Sequence, residues 1–313
     1  MGYLKINPFN STSATWGNHT VLFYLPGASV VIDGLSARQY RDIARKYAAF
    51  VSAGVETLQT ADVVCRAGRL AQPVGLPIEH FLVNDQYALH KERSGSKIAV
   101  TGFDFVANIT CDTSAPAHAS LSVLKEDELA TVGVLENFLR VLLSYRALAR
   151  GGVLLHSAGI LYRDRAYLFC GRSNAGKTTL ARKAAAAGAR VLSDDINLVI
   201  PENGAFRAHK VPFTGEFGRR MEKLSEISSF TLGGLVLLEK ASTLTAVPVR
   251  PAEAVAGLLT GCPFVNDDPE ESSVLLDILM NLVADAPIIR LGASIDDPFE
   301  AVMDTLLRHY END

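Results

Sequence analysis

One glycine-rich stretch carries residue types that bind nucleotide phosphates. Its pattern, G-x-x-x-x-G-K-[ST], is matched at every fixed position by Gly171, Arg172, Ser173, Asn174, Ala175, Gly176, Lys177 and Thr178, and Thr179 follows. In such a loop the backbone N–H groups point at the phosphates, and the next helix adds the positive end of its dipole. Lys177 would reach the β- and γ-phosphate oxygens, and the Thr178 hydroxyl would bind Mg²⁺. The alternative is a glycine-rich turn with an accidental Lys-Thr pair.

The segments on either side favour phosphate binding. Residues 165–170 form a mostly apolar run of strand length, and residues 177–187 are rich in helix-forming types before Gly188. Strand, loop and helix therefore occur in the order that a phosphate site requires.

Two adjacent carboxylates, Asp194 and Asp195, directly follow the segment Val191-Leu192-Ser193. Beside bound phosphates, one carboxylate can hold Mg²⁺ while the other accepts the proton of an attacking hydroxyl. The alternative is an acidic turn at the end of a strand.

His156 lies in an apolar strand candidate, residues 153–161, upstream of the loop. A hairpin through the charged turn Arg163-Asp164-Arg165 would place this strand beside the strand that precedes the loop. The imidazole could then orient the acceptor or take part in proton transfer. A histidine satisfied within the core is the more common alternative.

The composition indicates a chain able to bury a substantial core. It has 313 residues, of which 48% are hydrophobic and 20% charged, with a formal net charge of −4. The net charge gives no attraction to nucleic acid, no apolar run reaches the ~20 residues that cross a bilayer, and the first residues lack a signal-peptide core. We therefore expect a cytoplasmic protein with neither nucleic-acid nor membrane partners. The widely spaced cysteines indicate buried thiols at Cys65, Cys111, Cys170 and Cys262.

The first part of the chain, residues 1–120, has the pattern of a smaller N-terminal α+β domain. Pro26-Gly27 forms a turn between two strand-like segments, and residues 35–53 have the periodicity of an amphipathic helix. Further strand candidates are residues 61–65, 81–83, 97–100 and 103–109. Small residues and Pro116 interrupt the periodicity over residues 114–120, which we interpret as a linker.

The second part, residues 121–313, opens with a long connecting helix predicted over residues 126–150. After Gly151-Gly152, strand and helix patterns alternate to the end of the chain. This order predicts an α/β sheet with helices packed on it, and the close spacing of the strands argues against a simple doubly wound parallel sheet.

Three separated segments together resemble the catalytic domain of the HPr kinase/phosphorylase family and its kinase-like relatives. They are Leu155-His156-Ser157-Ala158-Gly159, the glycine-rich stretch, and Leu192-Ser193-Asp194-Asp195. The resemblance runs from Gly151 to the end of the chain and implies a P-loop sheet of the kind shared with ATP-dependent phosphoenolpyruvate carboxykinase. It also implies phosphorylation of a serine hydroxyl on a carrier protein, and it allows a homo-oligomer.

Residue by residue, the resemblance implies phosphate binding by the loop and Lys177, Mg²⁺ contact by Thr178 and Asp195, and general-base work by Asp194 with His156 nearby. Residues 211–220 look like the substrate-facing loop of the kinase-like relatives. There we expect a role for Gly215-Glu216, with Glu216 helping to hold Mg²⁺ or the acceptor. Arg219 and Arg220 could neutralise phosphoryl charge or simply be solvated. Lys240 and the pair Asp267-Asp268 are expected to be surface charges.

The resulting prediction is an ATP- and Mg²⁺-dependent phosphotransferase. It would move the γ-phosphoryl group to a hydroxyl, either a serine of a peptide or protein or that of a small metabolite. Two alternatives stay open. A carboxykinase-like enzyme is favoured by the Thr178-Thr179 pair, and a nucleotide-responsive binding module is motivated by the long N-terminal part.

Overall fold

The computed structural model describes residues 14–52, 60–74, 81–84, 87–92, 97–110, 116–127, 129–213, 215 and 229–310. The chain divides into two compact units, Met1–Arg146 and Ala147–Asp313. Both combine strands with helices, so the mixed α/β class is confirmed. The predictions for Cys111, Glu216, Arg219 and Arg220 concern residues outside these ranges.

The first unit contains a sheet that has nine strands within the described residues. Along the sheet the order is β3-β1-β2-β4-β9-β8-β7-β6-β5, with β2, β4 and β9 parallel and the other pairs antiparallel. The strands are β1 (His19–Leu25), β2 (Ala28–Leu35), β3 (Val51–Ser52), β4 (Val63–Arg69), β5 (Phe81–Asn84), β6 (Tyr87–Lys91), β7 (Lys97–Gly102), β8 (Phe105–Thr110) and β9 (Ala117–Val123).

Helix α1 (Ala37–Lys46) is shorter than the predicted residues 35–53. It begins with a capping box, in which the Ser36 hydroxyl accepts from the Gln39 N–H and the Gln39 side chain accepts from the Ser36 N–H. It ends because the chain turns at Tyr47, whose carbonyl accepts from the Phe50 N–H at 2.7 Å, and β3 then pairs with β1. The apolar periodicity continued past the helix because Tyr47 and Phe50 are buried in that turn.

The predicted linker is wrong for the residues that the structure describes. Residues 117–120 begin β9, which lies inside the sheet between β4 and β8. Strand propensity depends strongly on the neighbouring strands and on burial, so the small residues of this segment did not exclude a strand. The division between the compact units falls instead at Arg146 and Ala147.

The long helix expected before Gly151-Gly152 is present. A π-helical turn (Leu129–Gly133) leads into helix α2 (Val134–Ala149), which ends where Gly151 adopts a φ of +70°. Its predicted apolar face is buried and includes Leu135, Phe138, Leu139, Leu142 and Leu143.

The second unit is built on a mixed sheet in which β15 pairs with β11, β14 and β17. The strands are β10 (Val153–Tyr162), β11 (Arg165–Cys170), β12 (Arg190–Ser193), β13 (Ile196–Glu202), β14 (Ala205–His209), β15 (Ser229–Lys240), β16 (Thr245–Pro248) and β17 (Ile288–Ala293). The helices are α3 (Lys177–Ala186), α4 (Pro251–Leu259), α5 (Ser272–Asp285) and α6 (Phe299–Tyr310). The predicted hairpin is confirmed, because β10 and β11 pair antiparallel around Arg163 and Asp164, whose φ angles are 48° and 60°.

The strand directions bring several chain ends to one edge of this sheet. β11, β15 and β17 are parallel, and β12 shares their direction because both β11 and β12 are antiparallel to β10. The carboxyl ends of β12, β11, β15 and β17 therefore meet at the same edge. His156 lies there too, because it precedes the β10 residue Ser157, which pairs with Cys170 at the end of β11.

Helices α3 and α6 pack against this sheet and complete its core. Strand residues of the core include Phe169, Val236 and Leu291, and helix residues include Leu180, Met303 and Leu306. Cys65, Cys170 and Cys262 are buried free thiols, as predicted for these three. Within the described part of the chain, no helix combines the length and apolar character needed to cross a membrane.

Candidate functional site

A cavity of about 860 Å³ opens at the edge where the four strand ends meet. The predicted residues that line it are His156, Ser173, Asn174, Ala175, Gly176, Lys177, Thr178, Thr179, Asp194 and Asp195. Gly215, from the predicted substrate-facing loop, lines it as well. The structure thus brings together residues from three segments that are separated along the chain.

The glycine-rich loop, residues 171–176, needs its glycines for backbone reasons. A Cβ atom on Gly171 would lie 2.6 Å from the carbonyl oxygen of Leu238, and Gly176 has a φ of +107°. Gly176 is the N-cap of α3, so the helix begins directly after the loop. The amino end of α3 therefore faces the cavity with its positive dipole end.

Lys177 is folded back into this loop. Its side-chain amine donates to the carbonyl oxygen of Gly171 at 2.6 Å and to that of Arg172 at 3.1 Å, and the residue is only 6% exposed. Burial lowers the pKa of Lys177, while Cys170 and Asp195 oppose the shift. Burial also raises the pKa of the Cys170 thiol to about 12. Gly171 and Arg172 thus contribute carbonyl groups that hold the lysine at the cavity.

Asp194 is buried at the end of β12, with 3% of its surface exposed. Its carboxylate oxygen Oδ1 accepts from the Gly215 N–H at 2.9 Å. The neighbouring Ser193 fixes the turn, because its hydroxyl donates to the Phe213 carbonyl and accepts from the N–H groups of Asp195 and Ile196. The sequence reasoning missed this role of Ser193, although the serine precedes the acidic pair directly.

Asp195 contacts His156 in the cavity wall. The distance between His156 Nδ1 and Asp195 Oδ1 is 3.2 Å. The two backbones are also joined, since the Ser157 N–H donates to the Asp195 carbonyl at 3.0 Å, and the His156 N–H donates to Gly261 at 2.7 Å. His156 is therefore part of the cavity wall and not of the core.

Asn197 is a buried supporting residue that the sequence reasoning missed. Its side-chain N–H₂ donates to the Ser157 carbonyl at 2.8 Å and to the Ser157 hydroxyl at 3.0 Å. A Cβ atom on Gly159 would lie 2.3 Å from the side-chain oxygen of Asn197, so the amide fits only beside a glycine. An amide inside the apolar strand β13 was the signal that could have identified it.

A second wall of the cavity comes from the ends of β15 and β17, which the sequence reasoning did not assign to a site. It includes Lys240, Ser242, Ser294, Ile295 and Asp297. Lys240 is exposed, as expected, but it lines the cavity.

For the other acidic pair, the predicted solvated loop is confirmed for Asp267, which is exposed, and is wrong for Asp268. Asp268 is buried and accepts from the Glu270 N–H at 3.0 Å, so it organises the turn before α5. A carboxylate that accepts from a nearby backbone N–H is common in turns.

The cavity residues are of a kind that can bind Mg²⁺ together with water and substrate phosphates. Within the described ranges, no group of three or more His, Cys, Asp or Glu side chains is placed to hold a metal ion. Mg²⁺ usually binds one or two carboxylates and takes its other ligands from water and substrate phosphates. Thr178 and Asp195 lie in the same cavity and fit that pattern.

Fold and site together define a mixed α/β protein with a polar cavity around a glycine-rich loop at the start of a helix. The chain belongs to the family described as SynChlorMet cassette protein ScmC, whose model matches residues 120–308. No curated protein matches the sequence. Among solved structures, the chain is similar to the Hpr(Ser) kinase/phosphatase from Coxiella burnetii, with 12% identity and a TM-score of 0.32 over 51% of this chain and 97% of that one. A likeness of that degree defines neither the fold nor the activity of this chain.

Proposed function

We propose that the chain is an ATP- and Mg²⁺-dependent phosphotransferase that moves the γ-phosphoryl group to a hydroxyl acceptor. The observation that carries the proposal is the meeting of Lys177, Asp194, Asp195 and His156 in one cavity at the amino end of α3. On this proposal the second unit is a P-loop fold of the HPr kinase and phosphoenolpyruvate carboxykinase kind.

Binding would use groups that already surround the cavity. The N–H groups of the glycine-rich loop and the start of α3 would face the phosphates, and Lys177 would exchange the carbonyl groups of Gly171 and Arg172 for phosphate oxygens. Thr178 and Asp195 would hold Mg²⁺, which supplies charge neutralisation of the phosphates. His156 would orient the Asp195 carboxylate through their 3.2 Å contact. Glu216 lies outside the described residues and stays a prediction.

We assign to Asp194 the role of proton acceptor. Its carboxylate would take the proton of the acceptor hydroxyl as the acceptor oxygen forms its bond to the γ-phosphorus. The bond from that phosphorus to the β–γ bridging oxygen breaks, and ADP leaves with the bonding electrons. The Gly215 N–H holds the carboxylate in place for this step.

The test is transfer from γ-labelled ATP to free serine, serine-containing peptides and small hydroxylated metabolites. Asp194→Asn keeps the shape of the side chain and should lower transfer by ~10²-fold or more while ATP binding stays unchanged. Full transfer by this variant would remove Asp194 from the role. Binding of ATP without a labelled product from any acceptor would favour the nucleotide-responsive binding module instead.

A further inference from the structure

The cavity extends beyond the glycine-rich loop, away from the carboxylates. Along the sheet edge, Asp194 and Asp195 follow β12 on one side of the loop, whereas β15 and β17 end on the other. If the carboxylates act at the terminal phosphate, as the proposed function requires, the nucleoside must extend toward the ends of β15 and β17. This inference rests on the proposed function and adds a binding site to it.

The turn that follows β17, residues 294–297, forms part of that wall. Its polar groups bond within the turn: the Ser294 N–H donates to the Asp297 carboxylate at 2.6 Å, and the Asp296 N–H donates to the Ser294 hydroxyl at 3.2 Å. The Asp297 N–H donates to the Ser294 carbonyl at 3.3 Å. These bonds give the turn a defined shape.

Lys183 joins the same turn to α3, the helix that follows the glycine-rich loop, through hydrogen bonds. Its amine donates to the Ile295 carbonyl and, at 2.5 Å, to the Asp297 carbonyl. The amine thus occupies one acceptor position on each of these two carbonyl groups. The Ser294 hydroxyl and the Asp297 carboxylate of the turn also line the cavity, and each accepts a backbone N–H of the turn itself. The apolar group that the turn presents to the cavity is the Ile295 side chain, which is 73% exposed.

We propose that the turn 294–297 is a nucleoside subsite, which binds a purine by apolar contact with Ile295 and accepts adenine and guanine with similar affinity. An apolar contact does not distinguish the two bases, whereas strong discrimination needs buried groups that hydrogen-bond the base edge. Two further polar side chains of the wall, Ser242 and Lys240, also do not select one base over the other. The Ser242 hydroxyl can donate or accept, and Lys240 would act on phosphate or ribose oxygens that both nucleotides share.

The experiment compares three Mg²⁺-saturated probes by titration calorimetry: inorganic tripolyphosphate, ATP and GTP. ATP and GTP should bind within about fivefold of each other, and both should bind more tightly than tripolyphosphate. Ile295→Ser removes apolar area from the subsite and should weaken both nucleotides about 5- to 10-fold without changing tripolyphosphate affinity. The matched control is Leu276→Ser on α5, at a side chain that is 39% exposed and does not line the cavity; it should change none of the three affinities.

A second variant tests how the subsite is held. Lys183→Met frees the turn and should weaken ATP and GTP by similar factors, again with tripolyphosphate unchanged. A preference for either nucleotide over the other above about fivefold, or unchanged nucleotide affinity in Ile295→Ser, would overturn the subsite while the phosphate site stands. If neither tripolyphosphate nor ATP binds, both the proposed function and the subsite fail.

Discussion

Position 215 has no room for a side chain because the Asp194 carboxylate occupies that space. A Cβ atom on Gly215 would lie 2.6 Å from Asp194 Oδ2 and 2.9 Å from Oδ1. We expect Gly215→Ala to displace the carboxylate and lower phosphoryl transfer by ~10²-fold, since small misplacements of a catalytic group have effects of that size. ATP affinity should change little, because Lys177 and the loop lie on other elements.

Steady-state transfer and calorimetry measure the two effects separately. The same substitution on an Asp194→Asn background is the control, and it should add little because both changes remove one function. Undiminished phosphoryl transfer by Gly215→Ala would show that the contact with Gly215 does not determine the position of the Asp194 carboxylate.

Lys177 should make nucleotide binding depend on pH in the alkaline range. Burial lowers the pKa of Lys177 below its ordinary value of 10.5 in the free protein, whereas bound phosphates would favour the charged amine and raise that pKa. Above the free-protein pKa the amine must take up a proton on binding, so ATP affinity should fall as pH rises through that value.

Calorimetry from neutral pH to about 10 measures this fall. Lys177→Arg is the control, because a guanidinium stays charged over the whole range and its affinity should decline less. An equal decline in both proteins would assign the titration to another group.

At the scale of elements, Asn197 joins two strand pairings that hold the site. β10 pairs with β13 up to His156 and with β12 from Gly159 onward, and the Asn197 amide bonds to Ser157 between these stretches. Asn197→Ala leaves the buried Ser157 carbonyl without this donor, so the free energy of unfolding should fall by about 1–3 kcal/mol. Transfer should fall as well, because the same backbone stretch sets His156 against Asp195.

Denaturant unfolding and transfer assays on the same protein check both effects. Asn108→Ala is a matched control in the first unit, where the amide faces the Ser120 hydroxyl at 3.4 Å, and it should leave transfer unchanged. Lower stability with full transfer in Asn197→Ala would limit Asn197 to a structural role.

The elements that were predictable from sequence are those with local signals. The turn at Arg163-Asp164 and the loop between β11 and α3 follow from residue types a few positions apart. The contact of Lys183 with the Ile295 carbonyl joins residues 112 positions apart, and it depends on β15 and β17 pairing in one particular register. Local patterns carry no information on such pairings, so the second cavity wall could not be foreseen.

At the scale of the whole molecule, the cavity-lining residues that the structure describes all belong to the unit Ala147–Asp313. The first unit has its own sheet and its own buried clusters, such as Leu22 with Val31 and Leu70 with Val106. A ligand stabilises the part of a protein whose folded state it binds. The position of the cavity therefore predicts which part of the chain a nucleotide protects.

We expect Mg²⁺ and ATP to slow amide hydrogen exchange in the second unit and to leave strands β4 to β9 of the first unit unchanged. At a ligand concentration of 100 times Kd, the slowest amides of the second unit should gain about 2.7 kcal/mol of protection. Hydrogen exchange read by mass spectrometry resolves the two units by peptide, and Lys177→Met, which lacks the phosphate-binding amine, should show little protection anywhere. Equal protection of β4 to β9 would mean that the two units unfold as one cooperative structure, since binding at one site then stabilises both.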